Sequence, residues 1–215
     1  MHSEIVDLSI LIENNMIYYP GDPEPKLSKY ITLEKDGCRV MKLNIGTHTG
    51  THMDAPAHFM KNGKTIDNID LKNCMGKAVV VHLPNLKPYY EIVPEDFNSL
   101  EEHIKNSSIV LFNTGWIYKV GTEEFYKHPY ISKSSAQYLK DLGIKAVGVD
   151  MLNVDKTCVE GEQYTENSTS AHNVFLGNDI LINLEKLNTT GSTVMFLPLK
   201  IKDGDGSPVR AVAFV

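Results

Sequence analysis

Three histidines and an aspartate fall within one short run, His48-Thr49-Gly50-Thr51-His52-Met53-Asp54-Ala55-Pro56-Ala57-His58. Imidazole nitrogen and carboxylate oxygen together are the donors of zinc, manganese and iron sites. Histidines four apart can share a helical face, but Gly50, two threonines and Pro56 make this stretch a poor helix. In an extended chain, alternate side chains face the same way. His48, His52 and Asp54 all hold even positions, so even a partly extended loop presents them to one point, and Gly50 between them leaves room for a metal or substrate. Pro56 and Ala57 then turn the chain, and His58 follows. A lone histidine is usually a surface or hydrogen-bonded residue, whereas this combination serves neither core packing nor a generic turn. The chemistry it suits is metal-assisted hydrolysis, because a zinc ion lowers the pKa of water from about 16 to roughly 7 and polarises a carbonyl.

The elements that must position these residues are mostly strands. Short β-branched runs at 5–12, 40–45, 78–83, 109–112, 146–151, 180–184, 193–199 and 209–215 read as strands. Asp203-Gly204-Asp205-Gly206 reads as the turn of a C-terminal hairpin. Helical patterning is rarer. Residues 94–104 open with Pro94 and acids. Residues 132–142 have Ser132 to cap, Ala136, Leu139 and Leu142 on one face, and Gly143 to terminate. Residues 169–176, ended by Gly177, form a third candidate. The expectation is a strand-rich α/β fold in a single domain over 1–215, with the histidine run in a loop after a strand.

Composition narrows the class. The chain has 215 residues, enough to bury a full core in one domain. A net charge of −6, with scattered Lys and Arg, excludes a nucleic-acid footprint and a basic membrane-binding patch. Three widely spaced cysteines, Cys38, Cys74 and Cys158, contain no CxxC pair and read as reduced thiols of a cytoplasmic protein. The N-terminus has neither a basic nor an apolar targeting segment, and no apolar run is long enough to span a bilayer. Small-molecule chemistry remains.

The run His48 to His58 has every fixed position of the pattern HxGTHxDxPxH, and in this it resembles the cyclase superfamily of metal-dependent hydrolases, which includes kynurenine formamidase. The likeness extends to Asp7-Leu8-Ser9, Tyr19-Pro20-Gly21-Asp22-Pro23, Thr114-Gly115-Trp116, Val147-Gly148-Val149-Asp150 with Asp155, 197–201 and 206–211. It implies a swivelling β/β/α architecture and a homodimer or homotetramer. It implies that His48, His52 and Asp54 hold a first metal, zinc or alternatively manganese, and that His58 is the acid/base residue. Asp54 would bridge to a second metal, His172 would be that metal's histidine, and Tyr19 would contact the substrate. The family also places a glutamate about a dozen residues beyond the second histidine. Here that position is Leu184, and Glu185 follows. Either Glu185 serves through a local shift, although a one-residue slip in a strand turns a side chain to the other face, or the ligand is absent.

The resemblance implies hydrolysis of an amide C–N bond, with N-formyl-kynurenine giving kynurenine and formate. His58, beyond the ligand run, is placed to take and return a proton. Two further readings stay open. One is a different reaction on the same site, hydrolysis of a cyclic amide such as isatin or a polyketide-type cyclisation. The other is a non-catalytic protein that binds metal or a metabolite. His2, His82, His103 and His128 read as structural or exposed.

Overall fold

The protein is described by a computed structural model covering residues 4–158, 171–172, 174, 176–179 and 181–215. Its strands are β1 (Ile5–Asp7), β2 (Lys26–Ile31), β3 (Val40–Asn44), β4 (His52–Asp54), β5 (Met75–His82), β6 (Glu91–Ile92), β7 (Ile109–Asn113), β8 (Tyr130–Ile131), β9 (Ala146–Val149), β10 (Leu176–Asp179), β11 (Thr193–Met195), β12 (Gly206–Pro208) and β13 (Val212–Phe214). Nine of them form one mixed sheet in the order β1-β13-β11-β5-β7-β9-β10-β4-β12. The middle of the sheet, β5-β7-β9-β10, is parallel, and the strands outside it pair antiparallel.

Parallel strands are covered on both faces and so carry nearly unbroken apolar runs. Ala78-Val79-Val80-Val81, Ile109-Val110-Leu111-Phe112 and Ala146-Val147 are all buried. Alternation sends Val79, Val81, Val110, Phe112, Val147 and Val149 to one core, where they meet Trp116, Phe125, Ala136 and Leu139. Ala78, Val80, Ile109, Leu111 and Ala146 face the other core, with Met53, Leu184, Val194 and Phe196. The fold is thus the strand-rich α/β type expected.

After the short helices α1 (Leu33–Asp36) and α2 (Glu101–Lys105), the helix α3 (Lys133–Asp141) is the expected one. Ser132 caps it by accepting from the Ser135 amide, and Gly143 follows at φ 87°. The segment from Pro94 is instead two 3-10 turns, Pro94–Asp96 and Asn98–Leu100, before the short helix Glu101–Lys105. Of the third helical candidate, residues 169–170, 173 and 175 lie outside the described residues, while Leu176 opens β10. The strand expected at 180–184 therefore comes earlier, and 181 makes only an isolated bridge to Ser9. The C-terminal hairpin is also different. β11 and β13 do pair, but Gly206–Pro208 crosses to the far edge and pairs with β4. Asp205 is thereby carried to the histidine run.

One piece stands apart. Among the described residues β2 and β3 pair only with each other, and no residue of either strand is buried.

Candidate metal centre

The middle of the histidine run is a strand rather than a loop, and its end, Pro56–His58, is a 3-10 turn. His52, Met53 and Asp54 form β4, flanked by β10 and β12, and all three are buried. Period-two alternation sends His52 and Asp54 one way and Met53 into the apolar core opposite. The extended path does not continue back to His48. Gly50 sits at φ 67°, a left-handed conformation that favours glycine, and a Cβ there would meet Met16, Ile10 and Ile12 rather than open space. Its contribution is a turn and a carbonyl, which accepts from His52 Nδ1 at 2.7 Å. The expectation that Gly50 makes room for the metal is corrected accordingly. Gly206 instead makes room for the His48 ring, from which a Cβ there would lie 2.6 Å.

Asp54 is the hub. Its Oδ1 lies 2.7 Å from His48 Nδ1 and 3.5 Å from His52 Nε2, and its Oδ2 lies 3.1 Å from His172 Nε2. The structure thus gathers His48, His52, Asp54 and His172. His172 is held from behind: Asp155 accepts from its Nδ1 at 2.6 Å and from the Ala171 and His172 amides. Asp205 approaches His48 Nε2 at 3.2 Å, is itself fixed by the Thr47 hydroxyl at 2.9 Å, and lies 3.7 Å from His58 Nδ1. His58 stacks on His48 with centroids 4.0 Å apart, and its side chain is 29% exposed against 4% for His172. Phe59 packs on both His58 and His172.

Burial alone would raise the Asp54 carboxyl, but hydrogen bonds from His172 and His48 hold it well below the usual range. Burial opposes protonation of His48 and His172 too, yet their carboxylate partners push them up to about 9 and about 10. Burial keeps His52 low and takes His58 down to about 4. The cluster therefore favours positive charge beside Asp54, and imidazole nitrogen and carboxylate oxygen are donor types that suit a divalent cation. His48, Asp54 and His58 offer ligand atoms all within 4.8 Å of one another. His52 and His172 each have Nδ1 tied to a carbonyl or carboxylate, the arrangement that orients a metal-binding imidazole. The residues fit such an ion.

These side chains line a cavity of about 580 Å³ with Tyr19, Asp22, Phe59, Leu152 and Asn153. Leu152 and Asn153 follow the C-terminal end of β9, where open α/β sheets place ligands. Tyr19 is fixed by its hydroxyl, which accepts from the Cys158 amide. Glu185 is not brought here. Asn183, at φ 60°, opens a 3-10 turn that buries Leu184 and leaves Glu185 exposed, hydrogen-bonded to Tyr118. His82 pairs with Asn113, and His128 is buried between Pro129 and Thr157. Asp22, Phe59, Asn153 and Asp205 were not singled out from the sequence. Asp205 read as a turn, and Asp22 stood only within the segment Tyr19 to Pro23 that resembles the family.

The model of the family described as "Putative cyclase" matches residues 6–156. A kynurenine formamidase of Bacillus cereus is 31% identical over 212 residues, covering 98% of this chain and 97% of the relative. In fold, the chain is similar to an isatin hydrolase bound to the product analogue thioisatinate, with a TM-score of 0.88 at 24% identity, covering 99% of this chain and 92% of that one. It is also similar in fold to a structure described as a potential metal-dependent hydrolase with cyclase activity, with a TM-score of 0.75 at 22% identity over 98% of this chain and 96% of that one. With a family model matched over most of its length and a relative that shares its full extent, the chain belongs to the cyclase family.

Proposed function

We propose that the protein is a metal-dependent amidohydrolase acting as an arylformamidase, which converts N-formyl-kynurenine and water to kynurenine and formate. The observation that carries this is Asp54, bracketed by three imidazoles on the floor of a cavity that also holds a neutral, less buried fourth, His58. His48, His52, Asp54 and His172 would hold the ion, zinc or alternatively manganese. When bound, it supplies Lewis acidity, making water a nucleophile near neutral pH and polarising the carbonyl. His58 is neutral near pH 7, and among the described residues no carboxylate hydrogen-bonds to it, Asp205 lying 3.7 Å away. It takes the proton of the attacking water and delivers it to the departing amine nitrogen as the C–N bond breaks and the C–O bond forms. Tyr19 and Phe59 flank the space for an aromatic ring. Relatives named kynurenine formamidase over nearly the whole chain support this substrate. The test is elemental analysis of the purified protein beside a formamidase assay. Absence of stoichiometric metal, or no turnover of any aryl formamide by loaded protein, refutes it. The fold likeness to isatin hydrolases favours one second reading, opening of a cyclic aryl amide in the same cavity, which turnover of isatin in place of the formamide would support.

We also propose that the chain self-associates. Leu27, Lys29, Met41 and Leu43 pair across β2 and β3 and so share a face, with Met41 56% and Leu43 58% exposed. A two-stranded ribbon is marginal in water unless such a face is covered. Asn14 ties the ribbon's root to the segment that edges an apolar groove of Ile10, Leu11, Met16, Ile17, Ile117 and Val120. Lys26, Lys29 and Lys42 lie on the ribbon, and Glu13 and Glu123 line the groove. Reciprocal docking of ribbon into groove would make an isologous dimer. The described residues include no helix long and apolar enough to cross a membrane, and the free cysteines fit a reducing cytoplasm.

A further inference from the structure

We infer that Asp22 is the subsite for a positively charged amine on the substrate, so that the enzyme selects aryl amides whose side chain carries an alkylammonium group. Tyr19, Pro20, Gly21 and Asp22 form one wall of the cavity. That wall is built and fixed. The Asp22 amide donates to the Tyr19 carbonyl at 3.0 Å, with Pro20 at the second position and Gly21 at φ 100° at the third, the pattern of a type II turn. The Tyr19 hydroxyl is anchored in turn by the Cys158 amide. Asp22 and Tyr19 are therefore presented together, a carboxylate beside an aromatic ring.

Asp22 is hydrogen-bonded to none of the clustered imidazoles among the described residues. What acts on its carboxyl is burial and the charges of His48, Asp205 and Asp54 across the cavity, with no side-chain hydrogen bond among the described residues. Among the described residues that line the cavity there is no Lys or Arg. A half-buried carboxylate with no side-chain hydrogen bond among the described residues, set beside the Tyr19 ring, complements an ammonium group. The reading of the reaction enters at one point only, in taking the reacting group to be an aryl amide.

The test uses the metal-loaded enzyme and its Asp22→Asn variant. Two substrates are compared, formanilide, which is neutral, and an aminomethyl-substituted formanilide, which is cationic near neutral pH. The wild type should prefer the cationic formamide, and the ratio of the two kcat/KM values should fall about tenfold or more in Asp22→Asn. The change should lie in KM rather than kcat. Calorimetric titration with benzylammonium and with benzyl alcohol tests the same subsite without turnover, and the preference for the ammonium should fall with it. An unchanged ratio in the variant, or loss of bound metal from it, overturns the inference. If neither formamide is hydrolysed while ammonium binding still depends on Asp22, the arylformamidase reading fails and the subsite stands.

Discussion

The strand β4 and the ribbon β2–β3 invert the usual rule in opposite directions. In β4, His52 and Asp54 are polar and buried. In the ribbon, Met41 and Leu43 are apolar and exposed. Burying a carboxylate costs heavily unless opposite charge and hydrogen bonds compensate it, and exposing an apolar face forgoes the main stabilising term of folding. In β4 the chain itself supplies His48 and His172 as partners of Asp54, and the proposed cation would take the same donors. For the ribbon the proposed cover is a protein surface. Position within the sheet accounts for the difference. β4 is clamped between β10 and β12, so its side-chain directions are fixed, whereas the ribbon has no further neighbouring strand among the described residues.

The largest expected effect breaks the first half of this comparison. His52→Ala removes an imidazole that points at Asp54, and metal and activity should be lost together, activity to background. His58→Ala should leave metal content nearly intact while turnover falls about 10²–10⁴-fold, the usual contribution of general acid–base catalysis. Elemental analysis beside kinetics reads both. Equal metal loss in the two variants would make His58 a ligand, an outcome that the compact His48, Asp54, His58 trio makes worth measuring.

The second half breaks on the ribbon. Placing charge on its apolar face, as Met41→Glu with Leu43→Glu, should turn a dimer into a monomer without loss of secondary structure. Burial of such a side chain contributes about 1.5–3 kcal/mol, so association should weaken on the order of 10²-fold or more. Sedimentation of both proteins reads it, and a monomeric wild type would sink the proposal.

His128 sharpens the comparison because it is a buried polar group whose partners are all internal. Nδ1 donates to the Pro129 carbonyl and Nε2 accepts from the Thr157 hydroxyl, which satisfies a neutral ring. Burial lowers it from 6.5 to about 4. Above about pH 6.5 neither folded nor unfolded chain protonates it, and its stability is fully present. As pH falls from 6.5 to 4 the unfolded chain takes a proton the folded one refuses, and about 3 kcal/mol is lost. Asp150, raised to about 6 by burial, works the opposite way, so the contribution is read as the difference between wild type and His128→Gln. Unfolding free energies that change in parallel from pH 7 to pH 4.5 would refute it.

The sequence made the central strands and α3 legible because their signals are local: buried β-branched runs, a serine cap and a terminating glycine. β4 was hidden because a strand of His, Met and Asp has no apolar alternation, and β12 because Gly-Ser-Pro reads as a turn. The contiguous histidine run was legible for the same reason of locality. Asp205 and Phe59 were not, since only tertiary pairing brings them to the cluster, and Asp22 and Asp155 showed only as parts of segments resembling the family. Asp205 travels with β12, and its role follows from the register Gly206 to Asp54.

The smallest expected effect concerns Glu185, the residue about which sequence spacing was most equivocal. Spacing places it one residue beyond the family's glutamate, and the structure places it on the surface against Tyr118. The 3-10 turn Leu184–Lys186 commits Leu184 to the core, and rotating Glu185 inward would expose that leucine. Burying a leucine side chain contributes about 1.5–3 kcal/mol, while an exposed hydrogen bond of the Tyr118 kind contributes only about 1 kcal/mol. The outward arrangement therefore wins. Glu185→Ala should leave metal stoichiometry as it is in the wild type, change turnover by less than about twofold, and shift stability by at most about 1 kcal/mol. A fall in metal per chain would show that the turn repacks when the ion binds and that Glu185 is a ligand after all.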